Sequence, residues 1–306
     1  MARLLALCLM AFLWVAVAAA NPSAFASGDN GKPQPTLVCT GCLASNLELE
    51  NLRILDARTS VGAYIKSHIP GAVYLNIESL RLSSGGIPGQ LLPPDRLAYV
   101  FSELGIGNDT PVIVYSSTED HLANSTYVAL ALASAGHELF AVLDGGFEQW
   151  EKESLPLTAD VRPVAKARFR PGRGDVIVTR ATVEALIQKR GGITLVDARP
   201  APAFAAGHIP GAISVPAAAF GAMPESPLWL KPEQIEGILS QTDLRTPSPV
   251  VIYCGSGRDA SKAWFTLRYL MKFPSVKVYD GSMAEWDSLG LPKETAATTE
   301  PCSAAP

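Results

Sequence analysis

Short apolar runs rich in Val and Ile alternate along this chain with longer stretches whose apolar residues recur at helical spacing. In the second half the runs are 175–178, 193–196, 212–215, 250–253 and 276–279. Each is too short and too apolar for a helix and is read as a strand. Between them, 179–189 opens at Thr179, a helix-capping residue type, and 232–240 begins at Pro232, which suits a first helical turn. A further helix-like run, 260–272, follows the strand at 250–253. Strands alternating with helices predict a mostly parallel sheet flanked by helices on both faces, so the fold class is α/β.

The pattern occurs twice. Asp56-Ala57-Arg58 returns as Asp197-Ala198-Arg199, and His68-Ile69-Pro70-Gly71-Ala72 as His208-Ile209-Pro210-Gly211-Ala212. Pro111-Val112-Ile113-Val114-Tyr115 is echoed by Pro249-Val250-Val251-Ile252-Tyr253, and Asp144-Gly145-Gly146 with Trp150 by Asp280-Gly281-Ser282 with Trp286. Four ordered matches at a nearly constant, domain-sized offset indicate a duplicated domain. The units are read as 34–158 and 175–293, joined by a linker at 159–174 that carries Arg162, Lys166, Arg168, Arg170 and Arg173 with two prolines. The tail 294–306 is small, polar and proline-containing, the composition of a disordered segment.

Composition adds limits. Of 306 residues, 48% are hydrophobic and 18% charged, a globular balance, and the net charge of -4 provides no field for a phosphate backbone. Nucleic acid is not an expected partner. Ahead of the first unit, Arg3 precedes an apolar run, 4–20, with small-x-small exits after Ala20 and after Ala26. This is read as a signal peptide within 1–26, giving an exported, periplasmic protein that begins at Asn21 or Ser27 and has no membrane partner after cleavage. An uncleaved anchor is the competing reading, against which no basic stop-transfer cluster follows the run.

Export changes what the five cysteines can mean. Cys8 leaves with the signal, and Cys302 lies in the tail. Cys39 and Cys42 form a Cys-Thr-Gly-Cys pair without a further Cys or His close in sequence, so a disulfide is expected there and a metal is not. No strand is read ahead of the pair, and a staple, an unpaired state and a redox-active pair all stay open.

Cys254 stands apart. It follows the strand at 250–253 and opens Cys254-Gly255-Ser256-Gly257-Arg258-Asp259, a loop leading into the helix-like run. In open parallel sheets ligands bind at the carboxyl ends of the strands. Gly255 and Gly257 allow the loop to curl so that its N–H groups face inward beside a helix N-terminus, favouring a thiolate, a persulfide or a bound anion. The competing reading is a cysteine that only packs. The first unit has Ser116 at the matching place, followed by Ser117-Thr118-Glu119-Asp120-His121, and no Gly-x-Ser-x-Gly elbow that would suggest a serine hydrolase.

The paired Asp-Ala-Arg and His-Ile-Pro-Gly-Ala sites, the Cys254 loop and the late Asp-Gly sites with Trp150 and Trp286 together resemble the rhodanese superfamily of sulfurtransferases. The similarity is to its tandem branch, which includes thiosulfate and 3-mercaptopyruvate sulfurtransferases. The resemblance implies two rhodanese-like domains, the first catalytically silent. It implies that Cys254 accepts a sulfur atom as a persulfide and yields it to cyanide, a thiol or a protein acceptor, with no cofactor. It also implies a donor contact for Arg199. Arg58 occupies the same place in the cysteine-free unit, so a structural part of that motif's role is expected too. Gly255, Ser256, Gly257, Arg258 and Asp259 are the remaining expected donor-binding residues. Arg258 is expected either to point into the cradle or to pair with Asp259. His68 and His208, in identical contexts, are read as hydrogen-bonded turn residues.

Thiosulfate is the expected donor. The neutral Cys-Gly-Ser-Gly opening resembles the mercaptopyruvate branch, although Glu78 and Gln90 stand where that branch tends to carry an acidic residue and a histidine. Phosphatases of the cell-cycle dual-specificity type, which share this fold, need Arg six positions after the cysteine, and Ala260 is there instead. A non-enzymatic persulfide carrier is the alternative of a different class.

Overall fold

The computed structural model describes residues 26–27, 33–189, 192–244 and 248–295. The apolar leader, Cys8, both expected cleavage exits apart from Ala26, Cys302 and all but the start of the expected tail lie outside the described residues.

Each unit is a five-stranded parallel sheet. In the first, β1 (Thr36–Val38), α1 (Thr40–Ala44), β2 (Arg53–Asp56), α2 (Val61–Lys66) and β3 (Ala72–Tyr74) are followed by a hairpin of β4 (Arg81–Ser84) and β5 (Ile87–Leu91). Then come α3 (Pro94–Glu103), β6 (Val112–Tyr115), α4 (Ala123–Ser134), β7 (Phe140–Leu143) and α5 (Gly146–Lys152). The second unit repeats this order with β8 (Ile177–Val178), α6 (Arg180–Lys189), β9 (Thr194–Asp197), α7 (Ala201–Ala206) and β10 (Ile213–Ser214). Its hairpin is β11 (Gly221–Met223) with β12 (Ser226–Trp229), followed by α8 (Pro232–Leu239), β13 (Val250–Tyr253), α9 (Arg258–Phe265), β14 (Val276–Tyr279) and α10 (Ser282–Ser288). The sheets run β1-β7-β6-β2-β3 and β8-β14-β13-β9-β10, so β6 and β13 are central. Both central strands are buried along their whole length, which explains their unbroken apolar sequence.

Several boundaries differ from expectation. The edge strands β8 and β10 are two residues each, because an edge is paired on one side only. The run 260–272 divides into α9, which starts two residues earlier at Arg258, and a wider helical turn at Thr266–Leu270. A strand, β1, does precede the Cys39/Cys42 pair, contrary to the sequence reading; at three residues it is too short to show a period. The pair forms a disulfide with Cys39 as the N-cap of α1.

All twelve residues of α4 are buried. Its small residues let it pack on its own sheet and, on the other side, against α9 of the second unit, where Thr126 and Ser261 share a hydrogen bond of 2.9 Å. One hydrophobic cluster consequently runs through both units, while the outer face of each sheet has a smaller core of its own. The stretch 159–174 has no regular element, yet it is docked rather than free: Phe169 is buried against Phe101, and the N–H groups of Ala167 and Gly172 donate to Ser102 and Ala135.

Candidate active site

The second unit presents Cys254 at the carboxyl end of its central strand, directly before α9. It is the free cysteine among the described residues, 1% exposed. The neighbouring turn anchors its backbone. The Cys254 N–H donates to Ser282 Oγ at 3.1 Å, Ser282 Oγ donates to the Tyr279 carbonyl, and the Met283 and Ala284 N–H groups bond the Cys254 and Gly255 carbonyls at 3.0 Å. The loop that follows turns into α9 at Gly257, and the backbone N–H groups of Ala260, Ser256 and Gly257 are the local influences that favour the ionised sulfur.

This turn needs glycine at 257. Gly257 caps α9 with φ of 86°, a left-handed conformation, and a side chain there would collide with Asp280 Oδ1. Asp280 is buried below the loop. Its Oδ2 accepts the Leu91 N–H from the first unit, whereas Oδ1 has no hydrogen-bond partner. Burial is the main cause that pushes its pKa up, to about 6.

The expectation that the cradle alone would favour a thiolate needs correction. Burial pushes the Cys254 thiol up from its ordinary value, the Asp259 charge adds to this, and the three N–H groups act in the opposite sense. The cradle therefore offsets desolvation without overcoming it, and a bare sulfur anion gains most when the loop geometry is kept intact.

The other expected site residues separate into those at the sulfur and those away from it. Ser256 and Gly257 supply N–H groups to the cradle, and Gly255 is exposed at its mouth. Asp259 is a nearby negative charge that opposes an anion at Cys254, so a donor-binding role for it does not fit. Arg258 neither points into the cradle nor pairs with Asp259. Its Nη1 donates across the domain interface to Asn124 Oδ1 at 3.4 Å, because α9 turns that face toward α4.

Arg199 grips Asp197 through Nε and Nη2 and donates to the Gly207 carbonyl at 2.7 Å. Arg58 makes the same bonds to Asp56 and the Ser67 carbonyl, so in both units the motif ties a strand end to the helix that follows. The two histidines are equally matched. His68 Nδ1 lies 2.8 Å from the Tyr64 carbonyl and His208 Nδ1 2.9 Å from that of Phe204, each ring stacked on the aromatic four positions earlier. In the first unit Ser116 Oγ donates to Asp120 rather than to His121, which leaves no hydrolase pair.

Sequence reasoning missed Arg81, Asn124 and Ser282 as parts of this neighbourhood. Ser282 lies in a repeated motif that signalled the duplication but not its role, and the first two come from the unit without a cysteine. Glu78, compared above with an acidic position of the mercaptopyruvate branch, pairs with Arg81 at 3.1 Å, and Gln90 lies in the hairpin opposite Leu82.

A family model described as a rhodanese-like domain matches residues 40–153 and again 179–289. The chain is similar to a putative thiosulfate sulfurtransferase of Synechococcus elongatus, 35% identical over 267 residues that cover 82% of each chain. It is also similar to the 3-mercaptopyruvate sulfurtransferase of Escherichia coli, 29% identical over 80% of this chain and 92% of the relative. The crystal structure of SseA from Escherichia coli, described as a 3-mercaptopyruvate sulfotransferase with the rhodanese fold, superposes with a TM-score of 0.73 and 27% identity, covering 80% of this chain and 98% of SseA. With both repeats matched and the cysteine loop only in the second, the chain belongs to the rhodanese family as a tandem pair of rhodanese-like domains.

Proposed function

We propose that this sulfurtransferase carries sulfane sulfur on Cys254, taking it from thiosulfate and passing it to a small thiophilic acceptor. The Cys254 thiolate attacks the outer sulfur of the donor, the S–S bond of thiosulfate breaks, and sulfite leaves with the bonding electron pair. The resulting persulfide carries its negative charge at the terminal sulfur, in front of the loop N–H groups. Cyanide or a thiolate then attacks that terminal sulfur and the Cys254 thiolate departs, ready for another cycle. A protein persulfide acceptor would use the same second step.

The observation that carries this reading is a free, buried cysteine at the carboxyl end of the central strand, directly before α9, on a loop whose Ser256, Gly257 and Ala260 N–H groups favour its anion. The first unit offers Ser116 in the same place, and a hydroxyl cannot hold sulfane sulfur at neutral pH. The donor preference rests on the relative at 35% identity, itself described as a putative thiosulfate sulfurtransferase.

A second donor, 3-mercaptopyruvate, is favoured by the neutral Gly255 and Ser256 after the cysteine and by the superposition on SseA. Steady-state kcat/KM with both donors on one preparation separates them. We expect the value for thiosulfate to be at least about tenfold higher, a margin of roughly 1.4 kcal/mol in transition-state binding. A higher value for mercaptopyruvate would overturn the donor assignment and leave the Cys254 chemistry untouched.

A further inference from the structure

The hairpin β4–β5 belongs to the cysteine-free unit but lies against the Cys254 loop. Its first residue, Arg81, is partly buried, with its side chain 11% exposed. Each arm of the guanidinium is used: Nε donates to the Gly89 carbonyl at 2.9 Å, Nη1 to Glu78 at 3.1 Å, and Nη2 to the Ser256 carbonyl at 3.0 Å. Its carbon sits 5.4 Å from the centre of the Tyr127 ring. The hairpin is shaped around this group, since Gly89 has φ of 77° and any side chain there would run into the guanidinium.

The Ser256 carbonyl belongs to the same peptide unit as the Gly257 N–H. A trans peptide is planar, with C=O and N–H directed to opposite sides. Holding this carbonyl toward Arg81 therefore turns the Gly257 N–H the opposite way, to the side from which it favours the Cys254 anion. That orientation is not secured by the loop itself, because Gly257 tolerates either sign of φ and the peptide can turn over at low cost. A turned peptide would put a carbonyl oxygen against the sulfur anion. Beneath Gly257 the same hairpin grips a second point, where the Leu91 N–H donates to Asp280 at 2.5 Å.

We propose that Arg81 is a positioning residue of the reaction, a lock from the silent domain that holds the Ser256–Gly257 peptide with its N–H toward the Cys254 sulfur. This rests on the reading of Cys254 as the sulfur carrier. It gives the first domain a task in catalysis although it holds no nucleophile, and it predicts that the two domains act as one site.

The test is the pH dependence of Cys254 alkylation by iodoacetamide, followed on the Cys254 peptide by mass spectrometry, with kcat/KM for sulfur transfer over the same pH range. In Arg81→Gln the thiol ionisation should move up by about one pH unit, so that both rates fall about tenfold near neutral pH. The loss should shrink at alkaline pH, where the thiol is ionised in either protein. Arg81→Lys keeps the charge but not the three-armed reach, and should shift the same way by less. Should Arg81→Gln fail to fold, Arg81→Lys carries the test alone. A profile identical with that of the unaltered protein in either folded variant would overturn the lock. Cys254→Ala, run alongside, separates the two ideas: surviving transfer there would remove the Cys254 reading itself, whereas full dependence on Cys254 with unshifted Arg81 variants removes only the lock.

Discussion

Asp120 shows how burial acts on a single residue in the first domain, beside the serine that stands where the second domain has Cys254. Its pKa is pushed up to about 7, by burial first, against hydrogen bonds from the Ser116 hydroxyl and the Asn124 N–H and the charge of Arg258, all of which favour the carboxylate. One carboxylate oxygen has no partner. The folded protein therefore binds a proton here that the unfolded chain, with an ordinary value of 3.8, releases. Stability linked to this group is highest below the unfolded value and declines as pH rises from about 4 to about 7. Asp120→Asn should accordingly raise the melting temperature at pH 7.5, by an amount equivalent to on the order of 2 kcal/mol, and change it little at pH 4. Thermal unfolding of both proteins at the two pH values measures this, and an equal effect at both would contradict the assignment. Residue-scale order of this kind was only partly legible. Arg58 and Arg199 announced their shared structural role by recurring, whereas Arg81 reaches a carbonyl 175 positions away and gives no local signal.

Among the elements, the loop from Cys254 to Gly257 depends on one backbone conformation. Gly257 meets two constraints, its left-handed φ and the Asp280 carboxylate against its α-carbon. Gly257→Ala should destabilise the protein by about 1–3 kcal/mol, the usual range for a strained non-glycine backbone. Transfer should fall more steeply than stability, because the displaced peptide is the one that faces the sulfur. Chemical denaturation together with kcat/KM would check this, and a variant with full activity would show that the cradle is not shaped as described. The sequence displayed the central strands β6 and β13 plainly, since both are buried along their length and their apolar runs are continuous. It concealed β1, too short for a period, and both hairpins, whose residues are mixed in polarity because they cross to the other domain instead of joining the sheet. The Cys254 loop was legible for the opposite reason, as its glycines and its place after a strand are local features. The direction of Arg258 was not, because it depends on how α9 meets α4.

At the scale of the whole molecule the two domains clasp each other reciprocally. The first hairpin delivers the Leu91 N–H to Asp280, and the second delivers the Trp229 N–H to Asp144 at 2.9 Å. The hydrophobic cluster around α4 and α9 is continuous across the boundary, so neither domain can unfold without exposing apolar surface of the other. Calorimetry should record one cooperative transition, with calorimetric and van't Hoff enthalpies in agreement; two separable transitions would show independent domains. This union also explains how a loop in one domain draws support from both. Intact-mass analysis after incubation with thiosulfate in the absence of acceptor decides whether Cys254 carries the sulfur. One added sulfur atom is expected, mapped to the Cys254 peptide, released by cyanide and absent in Cys254→Ala. Sulfur found at Cys39 or Cys42, or transfer undiminished in Cys254→Ala, would contradict it.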